Sequence, residues 1–199
     1  MPKPRVYLAG PDVFLRDPLE LSRRKKSLCE RYGFEGVFPL DAELDLSGLP
    51  PRARALRISR ANEELIRSCQ LIIAHLTPFR GPSADVGTAY EMGFARGLGL
   101  VVFAYTNSAE DFAGRTQKSH GAKPRAGGGI EDDEGLLIES FGHTDNLMLV
   151  GAVELSGGSQ SVKQSPPESR YLDLDGFEAC LREARPLFGL EDSPAGAAR

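Results

Sequence analysis

The chain has few of the residues that build metal centres and covalent frameworks. Its three cysteines, Cys29, Cys69 and Cys180, lie far apart with no C-x-x-C pair. An odd, scattered count argues against a disulfide framework and against a zinc site. Three histidines, His75, His120 and His143, show no H-x-x-x-H or related spacing, so no metal is expected. Neither G-x-G-x-x-G nor G-x-x-x-x-G-K-[ST] occurs, which leaves a dinucleotide site and a P-loop unsupported and no cofactor expected. No apolar run approaches the roughly 20 residues that cross a bilayer. The opening MPKPRVYLAG lacks the shape of a signal peptide, so the expected setting is the reducing cytoplasm, away from membranes. Basic charge is not in excess either. Lys plus Arg is 24 against 28 for Asp plus Glu, a net charge of −4, and that argues against a nucleic-acid binder.

What is present is ordinary for a globular domain: 199 residues, 41% apolar and 26% charged. This length suits one domain that buries about 70% of the surface exposed by its unfolded chain. Apolar runs alternate with helical patterns. Arg5–Ala9 reads as a short strand stopped by Gly10-Pro11. Asp17-Pro18-Leu19-Glu20 is a helix start, with Asp17 as N-cap, Pro18 at N1 and Glu20 at N3. Gly36–Leu40 is a second strand. A helix is expected from about Arg52 to Ser68, with Ile58, Leu65 and Cys69 on one stripe. Leu71–Leu76 is apolar throughout, as in a strand buried on both faces of a parallel sheet. Ser83 is placed to cap a helix from about Ala84 to Gly97, and Leu100–Tyr105 is the next buried strand. This alternation predicts an α/β fold with a parallel sheet. Residues 107–143 are polar and irregular and read as a lid or a disordered loop; 156–169 is linker-like by composition. A last helix is expected from about Asp173 to Arg185. Residues 1–189 thus form one domain, and 190–199 a flexible tail.

The chemistry concentrates between Leu71 and Gly99. A buried strand leads through Arg80-Gly81-Pro82-Ser83 to a helix start, and ligands of open α/β sheets bind where such loops sit. Glu91 lies among Ala89, Tyr90, Met92, Gly93 and Phe94 on a helix expected to be mostly buried. A buried carboxylate needs a partner or a cavity. It is either a nucleophile facing the space left by Gly87 and Thr88, or one half of an ion pair with Arg80 or Arg96. Asp85, in the first turn, either favours the helix dipole or meets the ligand from a different side than Glu91. Phe14, beyond Gly10-Pro11-Asp12, either stacks on a planar base or fills the core.

These motifs resemble those of the nucleoside 2-deoxyribosyltransferase family. The carrying residues are Tyr7-Leu8-Ala9-Gly10-Pro11, Leu76-Thr77-Pro78-Phe79-Arg80-Gly81, Asp85-x-Gly87-Thr88-Ala89-Tyr90-Glu91-x-Gly93 and Asp145-Asn146-Leu147-Met148, in the family's order. The resemblance implies a flavodoxin-like fold, about five mostly parallel strands flanked by helices. It implies an enzyme of nucleoside salvage that moves the 2-deoxyribosyl group of a 2′-deoxynucleoside to another nucleobase, with hydrolysis as a side reaction. Glu91 matches the nucleophile that forms a covalent deoxyribosyl intermediate, and Tyr7 a tyrosine that orients it. Asp85 matches a carboxylate at the base and sugar end, a candidate for proton transfer to the leaving base. Gly10, Asp12, Phe14, Asn62, Arg80 and Gly87 are candidate substrate contacts; Asn62 stands where some members carry a proton-donating aspartate. Asn146 and Met148 match residues that reach a neighbouring subunit's site, which implies a homo-oligomer. The alternatives are a 2′-deoxynucleoside 5′-monophosphate N-glycosidase and a non-catalytic nucleoside-binding module.

Overall fold

A computed structural model describes residues 2–190; Met1 and residues 191–199, where most of the expected tail falls, lie outside the described residues. Leu190, the first residue of that expected tail, packs on the core. The central sheet is built from β1 (Arg5–Ala9), β2 (Glu35–Val37), β3 (Leu71–His75), β4 (Val101–Thr106) and a fifth strand, Gln160–Val162. Their order is β2-β1-β3-β4 and then the fifth strand, with every neighbouring pair parallel. Counted within the sheet this is the flavodoxin-like order 2-1-3-4-5. Among the described residues six α-helices accompany it: α1 (Pro18–Arg31), α2 (Pro51–Arg67), α3 (Val86–Gly97), α4 (Phe112–His120), α5 (Leu147–Glu154) and α6 (Asp175–Ala184). No helix among the described residues is long and apolar enough to cross a membrane.

The period-two alternation of buried strands sorts side chains onto two faces. Val6, Leu8, Ile73, Phe103 and Tyr105 join Leu21, Leu28, Phe177 and Leu181 of α1 and α6 in one core. Tyr7, Ala9, Ile72, Ala74, Val102 and Ala104 form the other, with Ile66 of α2, Met92 of α3 and Val153 of α5. Ala9, Ala74 and Ala104 are in register across three strands. This low row on the face that carries Tyr7 lets the first turns of α3 approach the sheet closely.

Asp17 caps α1 as expected, accepting from the Glu20 amide at 3.0 Å. Elsewhere the structure corrects the reading. The second strand ends at Val37, because Pro39 has no N–H and starts a 3₁₀ turn, Pro39–Asp41. Ser83 does not cap α3. Its hydroxyl donates to Asp145, and the cap is Asp85, two residues on. Nor is α3 mostly buried: only Thr88, Met92 and Ala95 are, while Val86 is 85% exposed and Tyr90 56%. In α2 the expected stripe holds only at its C-terminal end: Ile58 is exposed, Leu65 packs on the core and Cys69, just beyond the helix, is buried, while Ile66 is the one buried residue of the helix itself.

Residues 107–143 carry α4, capped by Asp111, and an antiparallel hairpin of β5 (Lys123–Pro124) and β6 (Ile130–Glu131). The turn uses Gly127, Gly128 and Gly129, all at positive φ of 88–106°. The linker-like stretch 156–169 holds the fifth sheet strand, β7, Gln160–Val162. Gly158 allows its approach, because a Cβ there would lie 1.9 Å from the Val102 carbonyl oxygen.

Candidate active site

Among the strands of the sheet, β1 and β3 are neighbours, and the chain leaves them in opposite directions, β1 toward β2 and β3 toward β4. The crevice above such a switch point is where ligands of open α/β sheets bind. Phe14 from the loop after β1 and Phe79 and Arg80 from the loop after β3 meet across it. The Phe14 and Phe79 rings stack at 5.5 Å and 17°, and the Arg80 guanidinium lies 5.1 and 4.7 Å from their centroids. Phe14 is 55% exposed, so the core alternative does not hold for it.

Below this rim, Tyr7 of β1 donates its hydroxyl to Oε1 of Glu91 at 2.6 Å. Glu91 is half-buried and, among the described residues, makes no ion pair with either Arg80 or Arg96. Burial pushes its carboxyl up from 4.5 to about 7, helped by the nearby Asp85 charge and opposed by the Tyr7 hydrogen bond. Burial, followed by the Glu91 charge, pushes the Tyr7 phenol far above its usual range. Tyr7 is therefore a fixed donor. It holds one carboxylate oxygen, orients the other, and keeps its own proton.

Asp85 sits outside the first turn, at the N-cap of α3. Its Oδ2 accepts from the Thr88 amide at 3.0 Å and the Thr88 hydroxyl at 3.2 Å. Gly87 is exposed, and a Cβ on it would meet nothing within 4 Å except the Asp85 carboxylate. The helix is thus bare on that flank, as its small residues suggested.

Five of the expected contacts, Asp12, Gly10, Asn146, Met148 and Asn62, have other surroundings within one chain. Asp12 is fully buried, paired with the Lys25 ammonium, and bonded to His75 Nδ1 at 2.9 Å. Burial would push its carboxyl up, but Lys25 and His75 outweigh this and bring it down to about 2. It supports the Phe14 turn from beneath and does not face the crevice. Gly10 is buried beside it; a Cβ there would stand 2.8 Å from Cβ of His75, so its smallness serves the packing of β1 on β3. Asn146 caps α5 through the Met148 amide and donates to Glu139 at 2.7 Å. Asn146 and Met148 line a groove shared with Ala89 and Gly93 of α3. Those α3 positions lie about 160° around the helix from Glu91 at roughly 100° per residue, so within one chain Asn146 is on the wrong side of α3 to reach it. Asn62, half-buried on α2, keeps its Oδ1 sealed and without a hydrogen-bond donor among the described residues.

Sequence reasoning did not single out Phe79 or Tyr171. The Tyr171 hydroxyl donates to the Pro78 carbonyl at 2.6 Å, and its ring meets Phe79 edge-on at 6.1 Å. Phe79 was visible as part of the L-T-P-F-R-G motif; Tyr171, some ninety residues away, carried no local signal.

Comparison with known proteins gives the family and the fold. The family model for nucleoside 2-deoxyribosyltransferase matches residues 6–148. An uncharacterized protein of Schizosaccharomyces pombe is 32% identical over 178 residues, which is 83% of this chain and 84% of that one. Among solved structures, a 2-desoxiribosyltransferase from Leishmania mexicana is 28% identical, with a TM-score of 0.58 over 84% of this chain and 94% of its own. A conserved protein from Enterococcus faecalis shares the fold, at 24% identity and a TM-score of 0.52 over 93% of this chain and 99% of its own.

Proposed function

The chain belongs to the nucleoside 2-deoxyribosyltransferase family, and we propose that it moves a 2-deoxyribosyl group between nucleobases through an ester on Glu91. The observation that carries this is the Tyr7–Glu91 hydrogen bond, which presents a carboxylate without a basic partner beneath the switch-point crevice. Once ionised, Glu91 attacks C1′ with the oxygen that Tyr7 does not hold. The C1′–N bond breaks and its electron pair leaves with the base. An incoming base then attacks C1′ from the vacated face, the C1′–O bond of the ester breaks with its electron pair returning to the Glu91 carboxylate, and the base loses its N–H proton; two inversions return the original configuration, as in retaining glycosidases. Water in place of that base gives hydrolysis. Phe14 and Arg80 meet the part of the substrate that reaches the rim, and Gly87 leaves room for the sugar. Asp85, whose second oxygen stands outside the cap, is placed at the base and sugar end, where that oxygen can accept a hydrogen bond from either.

The direct test is incubation with thymidine and adenine. Deoxyadenosine with release of thymine is the expected result. Thymine and free sugar alone would make the protein a hydrolase, and no release of thymine would leave only binding.

The working unit in this reading is a homo-oligomer. The apolar face of α5 divides in two: Leu149, Val150 and Val153 cover the chain's own sheet, while Leu147, Met148 and Leu155 are exposed. The second set borders a groove of about 730 Å³ floored by Ala89, Gly93 and Gly97, a surface suited to a second copy of the chain. Asn146 stands at its edge and, facing away from its own Glu91, serves the neighbour's site. Glu91→Ala and Asn146→Ala are then both inactive alone. Mixed with subunit exchange, they should restore about a quarter of the sites of a symmetric dimer. A fully active monomer, or mixtures that regain nothing, would refute the arrangement.

A further inference from the structure

The loop that joins β3 to α3 is tied down at nearly every residue. The Thr77 hydroxyl bonds His75 Nε2 at 2.8 Å and accepts from the Asn107 amide at 2.9 Å. The Pro78 carbonyl accepts from Tyr171, and the Phe79 amide donates to the Ser83 carbonyl at 2.9 Å. The Pro82 carbonyl accepts from Arg115 Nε at 2.7 Å, and the Ala84 amide donates to Asp145 at 2.9 Å. Within this frame Arg80 holds φ +56°, the only non-glycine residue at positive φ among those described. Such a conformation is costly for a side-chain-bearing residue and persists where the surroundings enforce it. Its guanidinium is exposed, lies against the Phe14 and Phe79 rings, and has no carboxylate within ion-pair distance among the described residues. The result is an arginine cation on a fixed loop, without a carboxylate partner among the described residues, at the Phe14–Phe79 rim of the switch-point crevice.

The reaction supplies a negative charge for it. When the C1′–N bond breaks, the base departs with the electron pair. The groups around Glu91 are poor proton sources: Tyr7 is a fixed donor to Glu91, and one Asp85 oxygen is spent on the helix cap. A preorganised cation serves such a charge without any proton transfer. We propose that Arg80 is a catalytic residue that contacts the departing nucleobase and stabilises the anion formed on it, which then takes its proton from water. The inference rests on the reading of Glu91 as nucleophile.

The test compares leaving groups. In 7-methyl-2′-deoxyguanosine the base is already cationic and leaves neutral, so it has no need of Arg80. Single-turnover release from 2′-deoxyguanosine should fall about 100-fold in Arg80→Gln, and release from the 7-methyl compound by under about threefold. Arg80→Lys, which keeps the charge, should recover part of the loss. If the wild type does not turn over the 7-methyl compound, thymidine against 5-fluoro-2′-deoxyuridine gives the same contrast, because fluorine acidifies the leaving base. Equal losses on both members of a pair would mean that Arg80 only shapes the loop, and no loss on either would mean that it is idle; both overturn the proposal. Glu91→Gln separates the two readings, since it should be dead on every substrate whatever Arg80 does, and its survival would refute the nucleophile alone.

Discussion

Replacing Glu91 by glutamine will abolish transfer and, at alkaline pH, make the protein more stable. Removal of a covalent nucleophile costs at least about 10⁴-fold in rate. The stability gain follows from the carboxyl's raised titration. The folded chain holds the Glu91 proton up to about pH 7, whereas the unfolded chain gives it up near 4.5. Between those values the folded state binds more protons, so stability falls as pH rises. At about 1.4 kcal/mol per pH unit, the loss approaches 3 kcal/mol once pH passes 7. Glutamine cannot ionise, yet its amide oxygen still accepts from Tyr7, so the variant escapes this loss. Urea titrations should coincide near pH 4 and separate by roughly 1–3 kcal/mol at pH 8 in favour of Glu91→Gln. Wild-type kcat/KM should rise through about pH 7 as the nucleophile ionises. Near-normal turnover by the variant would remove Glu91 from the chemistry. A variant less stable at pH 8 than at pH 4, relative to wild type, would show that the carboxylate is a structural anchor.

The parts of the fold legible in the sequence are those whose cause is local. β1, β3 and β4 are apolar because both faces of the sheet are covered, and such runs stand out unaided. The start of α1 combines a cap, a proline and an acidic residue within four positions. Glu91 stood out because a carboxylate among Ala, Tyr, Met and Gly is unusual, and the structure half-buries it with the Tyr7 hydroxyl on one oxygen. What escaped depends on distant partners. β7 is only three residues, two of them polar, and its strand conformation comes from pairing with Ala104, Tyr105 and Thr106. Ser83 and Asp85 are both good caps, and the choice is made by Asp145, sixty residues later, which engages Ser83. Asp12 was misplaced in the site for the same reason: Lys25 and His75, which claim it, belong to α1 and β3.

Breaking that buried cluster from one side should cost more stability than removing its ion pair altogether. Lys25, Asp12 and His75 are all fully buried. The Lys25 ammonium also lies 5.3 and 5.2 Å from the Tyr105 and Phe177 rings, which ease its burial. Lys25→Met leaves the Asp12 carboxylate with only His75, whose ring burial keeps it neutral by lowering its pKa. An uncompensated buried charge of this kind costs about 3–5 kcal/mol, whereas apolar replacement of both partners is often neutral. Lys25→Met should therefore be severely destabilised at pH 7, and Lys25→Met combined with Asp12→Leu should regain most of the loss. Acid should also rescue the single variant, because a proton taken up by Asp12 or His75 restores neutrality. The wild type runs the other way: Asp12 titrates near 2 when folded and near 3.8 when unfolded, so its contribution is present above 3.8 and lost as pH falls through 2. Since the same cluster carries the turn that holds Phe14, Lys25→Met should also blur the rim, and the double variant should recover stability without full transfer activity. Denaturation midpoints of the two single variants and the double at pH 5 and 7 decide it. A double variant as unstable as the sum of its singles would show that the pair acts by packing, with no charge coupling between Lys25 and Asp12.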